Sequence, residues 1–304
     1  MPEICLLGTG GMIPLKDRFL TSLYVEHNGH ALLIDCGEGT QVAAAVHGAK
    51  ISRIEALLLT HEHADHVTGL PGLLLSIGNC SRTRPLDIWL PEKSIANVSS
   101  LLAVCGHLPY EVVFHGLPDD EPASFTAEAA DPMLTVDTVP LCHKIPCIGY
   151  RLSFGRKPVF LPEKAKQLGI PVEYWKTLHS GGSVTLPDGR SFASGDVTGG
   201  ARPPLRITYT TDSLPLPGLA DFARDSDLFI CEGMYGDEEK KASMNEKCHM
   251  LMQDACRLAA EAGAKRLWLT HYSPAEESPE IYEPQLRELF PGVVISKDGE
   301  RITL

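Results

Sequence analysis

A short apolar run, Ala56–Leu59, passes directly into Thr60-His61-Glu62-His63-Ala64-Asp65-His66. The run reads as a buried strand. Three imidazoles and a carboxylate within the six positions His61–His66 cannot all be core residues, because such groups are rarely buried without partners. The strand must therefore end where they begin, at the rim of a sheet and facing a cavity. Side chains alternate along extended chain, so His61 and His63 point the same way. A turn after them lets Asp65 and His66 face the same cavity from another side. Imidazole nitrogens with a carboxylate form a borderline-soft donor set that suits Zn2+.

The chain around this segment alternates strands and helices. Ile4–Leu7 ends in Gly8-Thr9-Gly10-Gly11, and Ser22–Val25 and Ala31–Ile34 flank a hairpin turn at His27-Asn28-Gly29. Glu38–Gly48 carries small apolar residues at helical spacing. Towards the C-terminus, Ile207–Tyr209, Leu228–Cys231 and Arg266–Leu269 read as strands, and Cys248–Ala262 as an amphipathic helix stopped by Gly263. This alternation predicts a layered α/β domain. The 27 glycines and 23 prolines are spread throughout the 304 residues, so no flexible linker is expected. No stretch reaches the ~20 continuous apolar residues of a membrane helix, and Met1–Gly11 lacks a basic segment followed by an apolar one. The nine cysteines are scattered with no C-x-x-C pair, which predicts reduced thiols and a cytoplasmic location rather than a disulfide framework.

The segment His61–His66 holds too few donors for two complete metal sites, so others must come from elsewhere. Candidates are His143 in Leu141-Cys142-His143-Lys144, Asp212 in Tyr209-Thr210-Thr211-Asp212-Ser213, and His271 in Leu269-Thr270-His271-Tyr272-Ser273. The last two follow predicted strands directly. Charge is also uneven. The net charge is −12, which opposes nucleic acid at long range. Residues 151–206 nevertheless carry nine basic side chains against four acidic ones, whereas Gly116–Pro140 holds six acids and no base. The acidic total thus hides a basic segment, which reads as an anion-binding appendage on an acidic body.

His61–His66 resembles the metal motif of the metallo-β-lactamase superfamily. Its continuation, Gly69-Leu70-Pro71-Gly72-Leu73-Leu74, resembles ribonuclease Z, the tRNA 3′-processing endonuclease family. Leu7-Gly8-Thr9-Gly10 and Asp35-Cys36-Gly37-Glu38-Gly39-Thr40-Gln41 are similar to two further motifs of that family. Lys164-Ala165-Lys166-Gln167-Leu168-Gly169-Ile170-Pro171 and Val184-Thr185-Leu186-Pro187-Asp188-Gly189-Arg190, inside the basic segment, resemble its tRNA-gripping arm.

The resemblance implies an α/β fold, the αββα four-layer metallo-β-lactamase sandwich, as one hydrolase domain over residues 1–304 with a protruding substrate-binding arm inserted at 152–190. It implies two Zn2+ per chain, with Mn2+ or Fe2+ as substitutes: His61, His63 and His143 on one, Asp65, His66 and His271 on the other, Asp212 bridging. Asp65 would accept a proton from the attacking water, and Glu232 with His249 would form the general-acid pair for the leaving 3′-oxygen. Lys157, Lys164, Lys166 and Lys176 would contact tRNA phosphates, with Trp175 and Tyr174 packing the arm's own core. The implied activity is zinc-dependent removal of the 3′ trailer from precursor tRNA by a homodimer. Two alternatives are a binuclear phosphodiesterase for small cyclic or aryl diesters and a tRNA-binding protein whose metal is structural. Some residues depart from the family pattern. Gly233-Met234 and Met250-Leu251 stand where Ala-Thr and Ser-Thr usually follow the pair, and Val172-Glu173-Tyr174-Trp175 replaces the Gly-Pro pair of the arm.

Overall fold

The computed structural model describes residues 1–304, which divide into two compact units, Met1–Phe154 with Leu205–Leu304, and Gly155–Pro204. The strands in chain order are β1 (Glu3–Gly8), β2 (Ser22–His27), β3 (His30–Ile34), β4 (Ile54–Leu58), β5 (Leu86–Pro91), β6 (Val112–Leu117), β7 (Ser124–Thr126), β8 (Leu134–Pro140), β9 (Ile148–Phe154), β10 (Ser183–Thr185), β11 (Ser191–Ala193), β12 (Leu205–Thr210), β13 (Leu228–Glu232), β14 (Leu267–Thr270), β15 (Val293–Ile295) and β16 (Arg301–Thr303). In the first unit they form two seven-stranded sheets, ordered β16-β1-β2-β3-β4-β5-β6 and β15-β14-β13-β12-β9-β8-β7.

Period-two alternation builds four layers from these strands. Ile4, Leu6, Leu32, Ile34 and Leu58 turn inward to meet Val136, Tyr150, Leu152, Ile207 and Ile230 of the other sheet in a shared core. The intervening residues Cys5, Leu7, Leu33 and Leu57 face the opposite way and pack under Leu70, Leu73, Leu74 and Ile77 of the helix Leu70–Asn79. On the far side, Phe229, Cys231, Leu267 and Leu269 are covered by Ala255, Cys256, Leu258 and Ala259 of the helix Met252–Ala262. Each fully buried aliphatic side chain contributes about 1.5–3 kcal/mol.

The hairpin expected at Asn28-Gly29 joins β2 to β3, and both residues take positive φ, 53° and 86°, as a two-residue turn between twisted strands requires. The helix expected over Cys248–Ala262 instead starts at Met252. Cys248 closes the preceding helix Lys241–Lys247 in a left-handed conformation (φ 62°, ψ 48°). Leu251 is extended, and its N–H donates to Asp254 Oδ2 at 3.1 Å. His249 therefore lies in a loop between two helices.

The second unit has its own small core of Ala165, Ile170, Leu178, Val184 and Val197, with Tyr174 and Trp175 partly buried against it. Trp175 Nε1 donates to Ile170 O at 2.9 Å. Both aromatics pack, as the sequence suggested. Most of the insert expected at 152–190 lies in this unit, which extends to Pro204.

Candidate metal centre

The donors emerge where strands stop. β4 ends at Leu58, and the chain beyond it carries His61 and His63 before the short helix Ala64–Val67 presents Asp65 and His66. Asp212 lies two residues past β12, Glu232 is the last residue of β13, and His271 follows β14. β3 to β6 run parallel, as do β12 to β15. Side chains at the carboxyl ends of parallel strands pass beyond the hydrogen-bond ladder and converge there. His143 joins them from the loop between β8 and β9.

Two donor sets result. In the first, His63 Nδ1 lies 3.1 Å from His61 Nε2 and 3.1 Å from His143 Nε2. Asp212 Oδ2 is 3.7 Å from His61 Nε2 and 3.8 Å from His143 Nε2. In the second, His66 Nε2 and His271 Nε2 are 3.2 Å apart. Asp65 Oδ2 is 3.8 and 3.4 Å from these two nitrogens, and Asp212 Oδ1 is 3.5 and 3.1 Å from them. Asp212 thus sends one oxygen to each set. All seven residues proposed from the sequence as ligands are brought together, in groups whose donor atoms lie within 4.8 Å of one another.

The partners of the outer ring nitrogens show which atoms offer lone pairs. His143 Nδ1 is 3.3 Å from Cys248 O. A carbonyl only accepts, so Nδ1 carries the proton and Nε2 is bare. His66 Nδ1 likewise donates to Asp35 Oδ2 at 2.8 Å. Thr60 Oγ1 donates to Asp35, so towards His61 Nδ1, 3.0 Å away, it can only accept, and that ring nitrogen carries the proton. With Nδ1 committed outward in all three rings, their Nε2 atoms and the carboxylate oxygens face inward, and a metal binding there would meet a bare Nε2 on His61 and His143 and displace a proton from His66. Such a buried group of acceptors is stable around a cation, and the donor chemistry fits a divalent metal. His271 Nδ1 is buried without a hydrogen-bond partner, 3.8 Å from Glu232 Oε2.

Titration divides the two sets. Burial pushes His61 well below the ordinary imidazole range and lowers His63, and it takes His143 down to about 4. Burial would also lower His66 and His271, but carboxylates outweigh it, Asp35 and Asp212 at the first ring and Asp212 and Asp65 at the second, so both are raised. Burial would raise the carboxyls of Asp65 and Asp212, yet the adjoining imidazoles hold both well below the carboxylate range.

Beside the sets stands a second pairing. His249 Nδ1 is 2.9 Å from Glu232 Oε2, and Glu232 Oε1 accepts from Ser213 N at 2.7 Å and Met250 N at 3.3 Å. Burial opposes the charged imidazole, but the Glu232 carboxylate prevails and His249 is pushed up to about 9. The altered neighbours Gly233 and Met250 leave this pair in contact.

The N-terminal glycine loop closes the cavity. Tyr272 N donates to Thr9 O at 2.9 Å and Gly11 N to Tyr272 O at 3.0 Å. A Cβ on Gly11 would lie 2.5 Å from His271 Cε1, so only glycine permits this approach. His271 has φ 59°, a left-handed conformation that costs on the order of 1–2 kcal/mol and that these contacts hold in place. Met12 N donates to Asp65 Oδ2 at 2.6 Å.

The cavity has a volume of about 270 Å³ and includes His63, Asp65, His143, Asp212, His249 and His271 in its lining. Sequence reasoning missed three participants. Asp35 lies in a motif noted above but had no assigned role. Lys144 and Lys247 line the cavity and look like ordinary surface lysines in the sequence. The candidate substrate-binding residues Lys157, Lys164, Lys166 and Lys176 belong to the second unit, and all four are exposed. Lys166 Nζ pairs with Glu163 at 2.7 Å on that surface.

Comparison with known proteins places these features in context. The family described as Anti-Pycsar protein Apyc1 matches residues 2–107. A Ribonuclease Z of Lachnospira eligens is 42% identical over 304 residues, covering 100% of this chain and 98% of the relative. The structure of the metallo-β-lactamase fold protein YhfI from Bacillus subtilis superposes with a TM-score of 0.68 at 18% identity, covering 99% of this chain and 98% of the other. The human tRNase Z, short form, superposes with a TM-score of 0.68 at 23% identity over the same shares. The two-sheet sandwich is the metallo-β-lactamase fold.

Proposed function

The chain belongs to the ribonuclease Z family, and from that premise we propose that it removes the 3′ trailer of precursor tRNA by hydrolysing one phosphodiester bond with two zinc ions per chain. The observation that carries the two-metal reading is Asp212, whose Oδ2 lies beside His61 and His143 while its Oδ1 lies beside His66 and His271. Seven donors are more than one structural ion needs. Bound there, paired zinc ions would bring the pKa of a water towards neutrality and offset charge on the phosphodiester oxygens, and Mn2+ or Fe2+ would suit the same donors.

The chain's own residues then have distinct tasks. Asp65 commits Oδ2 to the second donor set and to the Met12 N–H. A carboxylate held so far below its usual range accepts a hydrogen bond from the attacking water and orients it without keeping the proton. When the P–O3′ bond breaks, the departing 3′-oxygen needs a proton. His249 supplies it from Nε2, since Nδ1 is held by Glu232. Glu232 keeps the imidazole charged at neutral pH. The small-diester alternative is set aside because the identity to ribonuclease Z relatives runs through the whole chain.

The insert at 152–190 is read as a tRNA-binding arm. Its lysines 157, 164, 166 and 176 are exposed, and the weak surface pair of Lys166 with Glu163 leaves that lysine available. The chain is read as a cytoplasmic homodimer. Its nine cysteines are all free, no helix is long and apolar enough to cross a membrane, and Val42, Val46 and Leu75 are exposed on two helices that pack together. Cleavage of an end-labelled precursor tRNA, with the cut position mapped, tests the reading. Cutting just after the discriminator base is expected, and it should be lost with a chelator and in Asp65→Ala. Cleavage that persists in chelator would overturn it.

A further inference from the structure

We propose that Lys144 and Lys247 bind the phosphates flanking the scissile one, so that the cavity selects a single-stranded RNA backbone over a small diester. The inference rests on the ribonuclease reading above. Both lysines line the same cavity as His63, Asp65, His143 and His249. Lys144 directly follows His143. Lys247 ends the helix Lys241–Lys247, and the left-handed Cys248 then reverses the chain so that His249 lines the cavity too. The hydrogen bond from His143 Nδ1 to Cys248 O, 3.3 Å long, ties the two lysine-bearing segments together. Each lysine is therefore carried by backbone anchored to a residue of the centre.

The charge distribution gives these side chains a purpose. The carboxylates nearest the cavity are occupied by histidines: Asp212 faces His61, His66 and His271, Asp65 faces His66 and His271, and Glu232 faces His249. The lysines are left exposed and without a carboxylate partner, in a chain of net charge −12. A flexible ammonium is suited to a phosphate as a point charge. A small diester brings only the phosphate that the centre itself receives. An RNA strand brings further phosphates on each side, and in the cavity lining the only cationic side chains outside the centre and its Glu232–His249 pair are Lys144 and Lys247.

The test compares Lys144→Ala, Lys247→Ala and the double variant on two substrates, precursor tRNA and bis(p-nitrophenyl) phosphate, with full-length, metal-loaded protein. Each single change is expected to lower the ratio of tRNA to diester kcat/KM about tenfold, the low end for a charge-assisted hydrogen bond. The salt dependence of tRNA cleavage should become shallower by about 0.7 for each lysine replaced, as counterion release from a single strand requires. Lys144→Arg and Lys247→Arg, which keep the charge, should restore most of the ratio. A double variant with the wild-type ratio and wild-type salt slope overturns this inference while leaving the ribonuclease reading intact. Wild-type protein that turns over the diester but leaves precursor tRNA uncut overturns both.

Discussion

Asp35→Asn is the sharpest probe of how the centre is assembled. Asp35 and His66 are fully buried. Asp35 Oδ2 accepts from His66 Nδ1 at 2.8 Å, while Oδ1 accepts from Thr60 N at 2.8 Å and from Thr60 Oγ1 at 3.0 Å. Asparagine has nearly the same shape but replaces one acceptor with a donor. If its oxygen stays on Thr60, its amide N–H points at the His66 Nδ1–H. If it flips, the amide N–H points at the Thr60 N–H. Either way, two donors face each other about 2.8 Å apart. Relief by moving the His66 proton to Nε2 would remove the lone pair that faces His271 and Asp212. Leaving a buried donor unsatisfied costs about 1–3 kcal/mol, and loss of an outer partner of a metal-ligating histidine costs about 10–100-fold in metal affinity. The two figures agree within their spread. Titration of metal-free protein with zinc against a chromogenic chelator measures the effect directly. Urea unfolding of the metal-free protein checks that the variant remains folded. A folded Asp35→Asn that binds zinc at both sets within twofold of wild type would refute the account of His66.

Two further expectations follow from the ionisation pattern. In the proposed role, His249 acts as an acid only while protonated. With its value near 9, activity should be full below that pH and fall as pH rises through it. In Glu232→Gln the main raising influence is gone and burial remains, so the alkaline limb of kcat/KM should move to lower pH, and an unmoved limb would contradict the pairing. His66 is raised well above the ordinary imidazole range and His271 is raised as well, so in metal-free protein this set holds protons more readily and a metal must displace them from Nε2, whereas His61, His63 and His143 are lowered and already neutral at pH 7. Calorimetry at pH 7 in buffers of different ionisation enthalpy should show more proton release on filling the set of Asp65, His66 and His271 than on filling the other. That set should also bind more tightly as pH rises. Equal proton release from both sets would rule the division out.

Most of the metal donors were legible in the sequence because they crowd one short segment or stand just after strands that apolar patterning reveals, whereas His143, in the loop between β8 and β9, was assigned only through the family resemblance. Asp35 was not, because its role depends on strand register. Ile34 of β3 pairs with Leu58 of β4 in parallel, and this places the residue after one strand beside Thr60 and His66 beyond the other, 25 and 31 residues away in the chain. Lys144 and Lys247 were illegible for a different reason. Lysine is the default exposed residue, and only the left-handed turn at Cys248, which the pattern of an uninterrupted helix concealed, brings Lys247 and His249 to one cavity.

Gly233-Met234 and Met250-Leu251 depart from the family pattern after Glu232 and His249, yet the two side chains stay in contact, and their supports explain why. Glu232 is held by the backbone N–H groups of Ser213 and Met250, which any residue except proline can provide, so its support does not depend on the side chain at position 250, which is itself fully buried against Cys231. Position 233 is more constrained. A Cβ there would come within 2.9 Å of Met252 Cγ, so the glycine and the methionine depend on one another. Neither departure disturbs the contact between His249 and Glu232.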